Sequence, residues 1–227
     1  MPNGYVIYDG ASLLNGERII AIALTSKSTN SKTGAMMQTY IITPHDPRDA
    51  SKYGLDEANC GKCPHRGTPT NDPNRKQAIG RTCYVKLFQG VLNVWKQWVK
   101  GAYPSLRGHD ALASLGEALD VRIGTYGDGG AVPQYIWDSL ISKAKKHTAY
   151  CHQYDNPNSS SDPMIYSNPK VGTILSRPPK HFDKTFNNVL EDEYVDDQNC
   201  TGQKCKDCLL CYQHGTTDTI VEKVKKY

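Results

Sequence analysis

The chain has 227 residues, 38% hydrophobic and 22% charged, with a formal net charge of +4 and a mean hydropathy of −0.59. That length and composition fit a single soluble-type domain over 1–227, and no run approaches the ~18 apolar residues of a membrane helix. The opening "MPNGYVIYDG" lacks a basic segment followed by an apolar stretch, so no signal peptide is expected.

In chain order, "RIIAIALT" (18–25) reads as a buried strand and "MMQTYIIT" (36–43) as its partner, joined by a turn with Asn30 and Gly34. Residues 44–82, rich in Pro, Gly, Asn and Asp, read as irregular and anchored by Cys60 and Cys63. "CYVKLFQGVLNVWKQWVKGAYP" (83–104) predicts a helix, with Leu87, Val91, Trp95 and Trp98 on one face, ended by Gly101 and Pro104. A weaker helix follows over 110–119. Residues 119–128 then predict a strand, 132–146 a helix with Pro133 in its first turn, and 147–154 a second strand. A strand, a helix and a strand in that order imply a parallel pair and an α/β fold. Residues 171–179 read as a third such strand, and "NPNSSSDP" (156–163) as a loop.

Charge is uneven. From Lys62 to Arg107 there are nine Lys and Arg and one acid, Asp72; from Asp183 to Gln198 there are six acids and one base. The basic stretch suits a polyanion, and nucleic acid or a host protein is a candidate partner.

Eight cysteines dominate the chemistry. In a reducing cytoplasm, the compartment expected here, clustered thiols are metal ligands more often than disulfides. Residues 199–215 form a cysteine-rich segment, Cys200-x4-Cys205-x2-Cys208-x2-Cys211. C-x4-C-x2-C occurs in [2Fe–2S] ligation and repeated C-x2-C in [4Fe–4S] loops. Zinc prefers two C-x2-4-C knuckles separated by a spacer. One tight loop of thiols favours an iron–sulfur cluster, [4Fe–4S] first, with zinc as the alternative. Cys60-x2-Cys63-x19-Cys83 resembles a zinc ribbon lacking its fourth ligand, which His65, Cys151 or a tail cysteine could supply. Two arrangements stay open: an open site of three beside a closed site of four, or one site shared by both groups. Cys151 itself reads first as a buried thiol and second as a ligand.

Three stretches, "NSKTGAMMQTYIITPHDPRDASKYGLDEANCGKCPHRG", "RTCYVKLFQGVLNVWKQWVKGAYP" and "RIGTYGDGGAVPQYIWDSLISKAKKHTAYCHQ", resemble in that order the bacteriophage gene product 88-like family, over roughly residues 20–215. The pattern "VRIGTYGD … YIW … AYCHQ … CKDCLLC" also looks like a distant relative of cysteine-rich proteins with radical-SAM-like barrels. The resemblance implies a phage-encoded protein with a small partial (β/α)-barrel-like domain and iron–sulfur ligation. It departs from radical SAM enzymes in lacking C-x3-C-x2-C.

"RIGTYGDGGAVP" is the leading site without cysteine. Arg122, Tyr126, Gly127 and Asp128 lie on or just past a strand, where ligands collect in α/β folds. They are the substrate-binding candidates, with Asp128 also the candidate cap of the following helix. His152, ending the neighbouring strand, is placed to meet Asp128 and exchange a proton, so these two are the catalytic candidates.

Overall fold

The structure is a computed structural model and describes residues 2–26, 34–153, 156, 158–159, 165–167, 185–190, 200 and 219–224. Its strands are β1 (Gly4–Ala11), β2 (Arg18–Leu24), β3 (Met37–Ile42), β4 (Asp120–Tyr126), β5 (Lys146–Cys151), β6 (Ile165–Ser167), β7 (Thr185–Leu190) and β8 (Thr219–Val224). Its helices are α1 (Pro47–Tyr53), α2 (Glu57–Cys60), α3 (Leu92–Val99), α4 (His109–Gly116) and α5 (Gln134–Ile141). The protein is mixed α/β. Strands lie side by side in chain order: β1–β2 and β2–β3 are antiparallel, and every pair from β3–β4 to β7–β8 is parallel. Among the described residues nothing pairs β8 with β1, so the mixed sheet is open. No described helix is long and apolar enough to cross a membrane.

The sheet through β5 is covered on both faces. Successive side chains of a strand point to opposite faces, and β2 divides accordingly. Ile19, Ala21 and Ala23 join Val121, Ile123, Ala149, Leu112, Trp137 and Leu140 in one core beneath α4 and α5. Ile20 and Ile22 join Val6, Ile42, Leu87, Val91, Val94 and Tyr126 in a second core beneath α3. A strand buried on both sides reads as a continuous apolar run, and "IIAIAL" does.

The predicted β2, β3, β4 and β5 are present, with α5 between the parallel pair β4–β5. β1 is an addition. Three other expectations are corrected. Residues 44–82 are not all irregular: Asp46 accepts a hydrogen bond from the Arg48 N–H, Pro47 opens α1, and Gly54, at φ +80°, closes it. The helix expected over 83–104 begins only at Leu92. Arg81 donates to the carbonyls of Cys83 and Val85 at 3.0 and 2.9 Å, taking acceptors a helix would need. A π-helical turn, Leu87–Val91, then kinks at Gln89 (φ −111°, ψ −116°) before α3 starts. Finally, α5 stops at Ile141 rather than 146, because Lys146 already belongs to β5. The strand expected over 171–179 lies outside the described residues.

Gly116 is where α4 meets α5. A Cβ there would overlap the backbone carbonyl oxygen of Leu140. Gly116→Ala should therefore destabilise the fold by about 1–3 kcal/mol, the range for overpacking, read as a lower urea midpoint at unchanged slope. An unchanged midpoint would show that the two helices are not held at this separation.

Candidate functional site

The site is assembled beyond the carboxyl ends of β3, β4 and β5, starting from how the chain folds around Cys60. α2 ends there, and the Cys63 N–H donates to the Cys60 carbonyl at 3.2 Å, giving a tight Cys60–Cys63 turn. Arg66 clasps this turn from below. Its guanidinium donates twice to Asp56 Oδ1 (2.9 and 2.8 Å), and also to the carbonyls of Gly61 and Gly54 (2.6 and 3.0 Å). Both partners of that ion pair are largely buried, Arg66 at 14% and Asp56 at 5% side-chain exposure. Burial pushes the Asp56 carboxyl up, against the opposing charge of Arg66.

Cys83, twenty residues after Cys63, is brought back by backbone pairing. The N–H groups of Thr82 and Cys83 donate to the His65 carbonyl at 3.2 and 3.1 Å, and Thr68 pairs with Ile79. Gly67 permits this closure: at φ +79° it has no Cβ to strike the Ile79 carbonyl oxygen 2.5 Å away. Cys60, Cys63 and Cys83 thus share one partly buried locus, and no disulfide joins them. Burial, then the charges of Asp56, Cys63 and Cys83, push the Cys60 thiol well up. Burial likewise pushes Cys63 up to about 12, although the His65 backbone N–H, hydrogen-bonded to its sulfur, pulls it back.

Asp128 joins this locus to the sheet. It is 4% exposed, and its carboxylate accepts three N–H donors: Gly130 (2.9 Å), His152 backbone (2.7 Å) and Gln153 Nε2 (3.0 Å). Its own N–H donates to the Asn59 carbonyl at 2.6 Å. Burial raises the carboxyl, but the His152 imidazole and backbone N–H, with Gln153, outweigh it and hold Asp128 below the ordinary carboxylate range. His152 Nδ1 lies 3.7 Å from Asp128 Oδ2, so the two candidates do meet. The His152 ring stands edge-on to His65, centroids 5.9 Å apart. Asp128's oxygens are engaged with these N–H groups, which makes it a positioning residue, while the His152 side chain is partly exposed. Asp128 was expected to cap the helix after it, but it caps the short turn Gly129–Ala131, and α5 begins after Pro133 without a side-chain cap.

The other substrate-binding candidates divide. Tyr126 is 4% exposed in the second core, with burial and then Cys60 and Asp56 pushing its phenol well up. It is the floor under the cysteine turn and faces the interior. Gly127, at φ +83°, lets the chain pass the Ile41 carbonyl oxygen, 2.6 Å from where a Cβ would be. Arg122 donates to the hydroxyl of Tyr84, the residue after Cys83, at 3.0 Å. Cys151 packs fully buried in the first core. Cys200 is partly exposed, while Cys205, Cys208 and Cys211 fall outside the described residues.

Sequence reasoning missed Gln153 and Asn59. Gln153 donates to the Cys60 carbonyl (2.9 Å), accepts from the Lys62 N–H (3.3 Å), and fits because Gly61 has no side chain to block it. Asn59 donates to the Ile41 carbonyl at 2.8 Å, tying α2 to the end of β3. Neither belongs to a motif.

No three His, Cys, Asp or Glu side chains among the described residues already form a group tight enough for one metal ion. The fit to a metal is one of donor chemistry: three soft thiols in mutual electrostatic reach, an N–H directed at one sulfur, and Arg66 beside them. Comparison of the chain with protein-family models, curated proteins and solved structures finds no match.

Two pH effects follow. Thiols of the unfolded chain ionise from about pH 9, while Cys60, Cys63 and Cys151 stay protonated in the fold. The folded state then holds more protons, so stability falls as pH rises. The metal-free, reduced protein should lose thermal midpoint steadily above about pH 9; a flat profile would place these thiols in water. Asp128 has the opposite sign. Its contribution is complete above its unfolded value of 3.8 and is lost as pH falls through the lower folded value. Asp128→Asn should cost on the order of 2–3 kcal/mol at pH 7, and the gap from wild type should narrow in acid. Equal stability of the two proteins at pH 7 would remove Asp128 from the role of anchor.

Proposed function

We propose that the chain is a thiolate metal-centre protein, phage-encoded as its family resemblance implies and working in the host cytoplasm, in which Cys60, Cys63 and Cys83 hold an iron–sulfur cluster. The convergence of these three thiols beside Asp128 and His152, at the carboxyl ends of parallel strands, carries this reading. Cys200, Cys205, Cys208 and Cys211 are the second ligand group, serving a [4Fe–4S] cluster. The barrel-like part of the reading draws support from strands β3 to β8 running parallel in chain order, the order in which a (β/α) barrel is laid down.

When bound, such a cluster supplies one-electron chemistry. The chain's own residues do the rest. The thiols release protons to become ligands. Arg66, with Arg81 and Lys62 nearby in the chain, offsets the negative charge of thiolates. The His65 N–H steadies the Cys63 sulfur. Asp128 and Gln153 fix the backbone on which His152 stands, leaving its imidazole to exchange a proton with a substrate.

The test is metal content and visible absorbance of protein purified without oxygen, for wild type, Cys63→Ala and Cys208→Ala. The expected wild type is brown, with about four irons for each cluster. Partial iron loss in each variant would indicate two clusters, and complete loss in both a single shared one. Colourless protein holding one or two zinc ions per chain would overturn the cluster and leave a zinc-stabilised fold in its place.

A further inference from the structure

The segment between Cys83 and α3 exposes what a folded chain ordinarily hides. Tyr84 is 69% and Phe88 64% exposed. Lys86, between them, is exposed as well, whereas Val85 and Leu87 turn inward to the second core. The alternation comes from extended backbone at Lys86 (φ −80°, ψ 112°), held open by the Arg81 fork on the carbonyls of Cys83 and Val85. Arg122 extends the strip at one end, donating to the Tyr84 hydroxyl while its guanidinium lies 5.8 Å from the centre of the Tyr150 ring. Along the chain, Lys96 of α3 and Lys100 at its C-cap are exposed as well. From Lys62 to Arg107 the one acid is Asp72, itself 3.9 Å from Arg75.

Exposed aromatic planes alternating with cations are what a nucleic-acid strand with unpaired bases requires. Bases stack on the rings, and phosphates meet the charges. A duplex has its base faces covered and gains only the charge contacts. We infer that the strip Arg122–Tyr84–Lys86–Phe88 binds single-stranded nucleic acid. None of its four residues is a thiol, although Tyr84 directly follows Cys83 in the chain.

The experiment is fluorescence anisotropy with a labelled thymidine oligomer of about 20 nucleotides, a duplex of equal length, and an RNA competitor, from about 50 to 200 mM salt. The oligomer is expected to bind more tightly than the duplex, with log affinity falling linearly against log salt. Tyr84→Ala and Phe88→Ala should each weaken binding about 5- to 100-fold at an unchanged thermal midpoint. Tyr84→Phe should preserve it, because the ring does the stacking. Lys86→Gln should reduce the salt slope by about 0.7, one phosphate contact. Any of four results would overturn the inference. The wild type does not bind at low salt; the alanine variants bind as well as wild type; the duplex binds equally tightly, leaving charge alone; or sedimentation shows self-association abolished by the same variants, making the occupant a second copy of the chain. Competition by RNA of equal strength would extend the ligand to both kinds of strand, and unequal strength would name the preferred one.

Discussion

A carboxylate taken out of water must have its oxygens hydrogen-bonded or it does not stay ionised. Asp128 meets that requirement by drawing together three parts of the chain distant in sequence. Its side chain holds the turn after β4 and the backbone leaving β5, while its N–H holds the Asn59 carbonyl at the end of α2. Gln153 completes the arrangement, bound on one side to the carboxylate and on the other to the Cys60 carbonyl. The position of the cysteine turn against the sheet therefore rests on this buried anion and its donors, together with the Asn59–Ile41 and Ser12–Ala58 hydrogen bonds of α2. Buried, satisfied polar networks of this kind specify one arrangement more strongly than apolar contact does, because a partial rearrangement strands a charge.

The cysteine turn shows the same economy at a smaller scale. A guanidinium has five N–H donors in a rigid fork, and Arg66 makes four hydrogen bonds with them, to Asp56, Gly54 and Gly61. Lysine carries the same charge but lacks the fork and would leave carbonyls unpaired in a partly buried loop. The turn is thus stiff without any metal, which lowers the ordering cost for any ligand the thiols take.

How much of this was legible in the sequence depended on the kind of signal. β2 and β3 were plain because strands buried on both faces must be apolar throughout. β1 was not, since "GYVIYDGA" mixes glycines and an aspartate with its apolar residues and half of its side chains are only partly covered. α1 was hidden by composition, although Asp46, Pro47 and Gly54 each stand where a short helix places a cap or a stop. The helix over 83–104 was overextended because periodicity cannot register that Arg81 has taken its first carbonyls. At the site, the cysteine trio and the Asp128–His152 meeting were legible from spacing and strand ends. Asn59 and Gln153 were not, because an amide that bonds a distant backbone carbonyl has no local pattern. Tyr126 lies four residues from Arg122, but it joins the second core with Leu87 and Val91, a depth of burial that no local pattern carries.

The sheet's mixed topology bears on the order of assembly. β1–β2 and β2–β3 pair residues close in sequence, whereas Met37 of β3 meets Val121 of β4 across a long connection. Closing that connection costs chain entropy before any contact rewards it, so the antiparallel meander is the natural nucleus and the parallel pairing follows. The cysteine turn lies inside the connection and is locked by groups just past the ends of β4 and β5, and so belongs to the late contacts. A ligand that ties the three thiols together then acts mainly on contacts absent from the folding barrier: it slows unfolding far more than it hastens folding. A ligand held by these thiols would thus bear on the lifetime of the native state more than on reaching it.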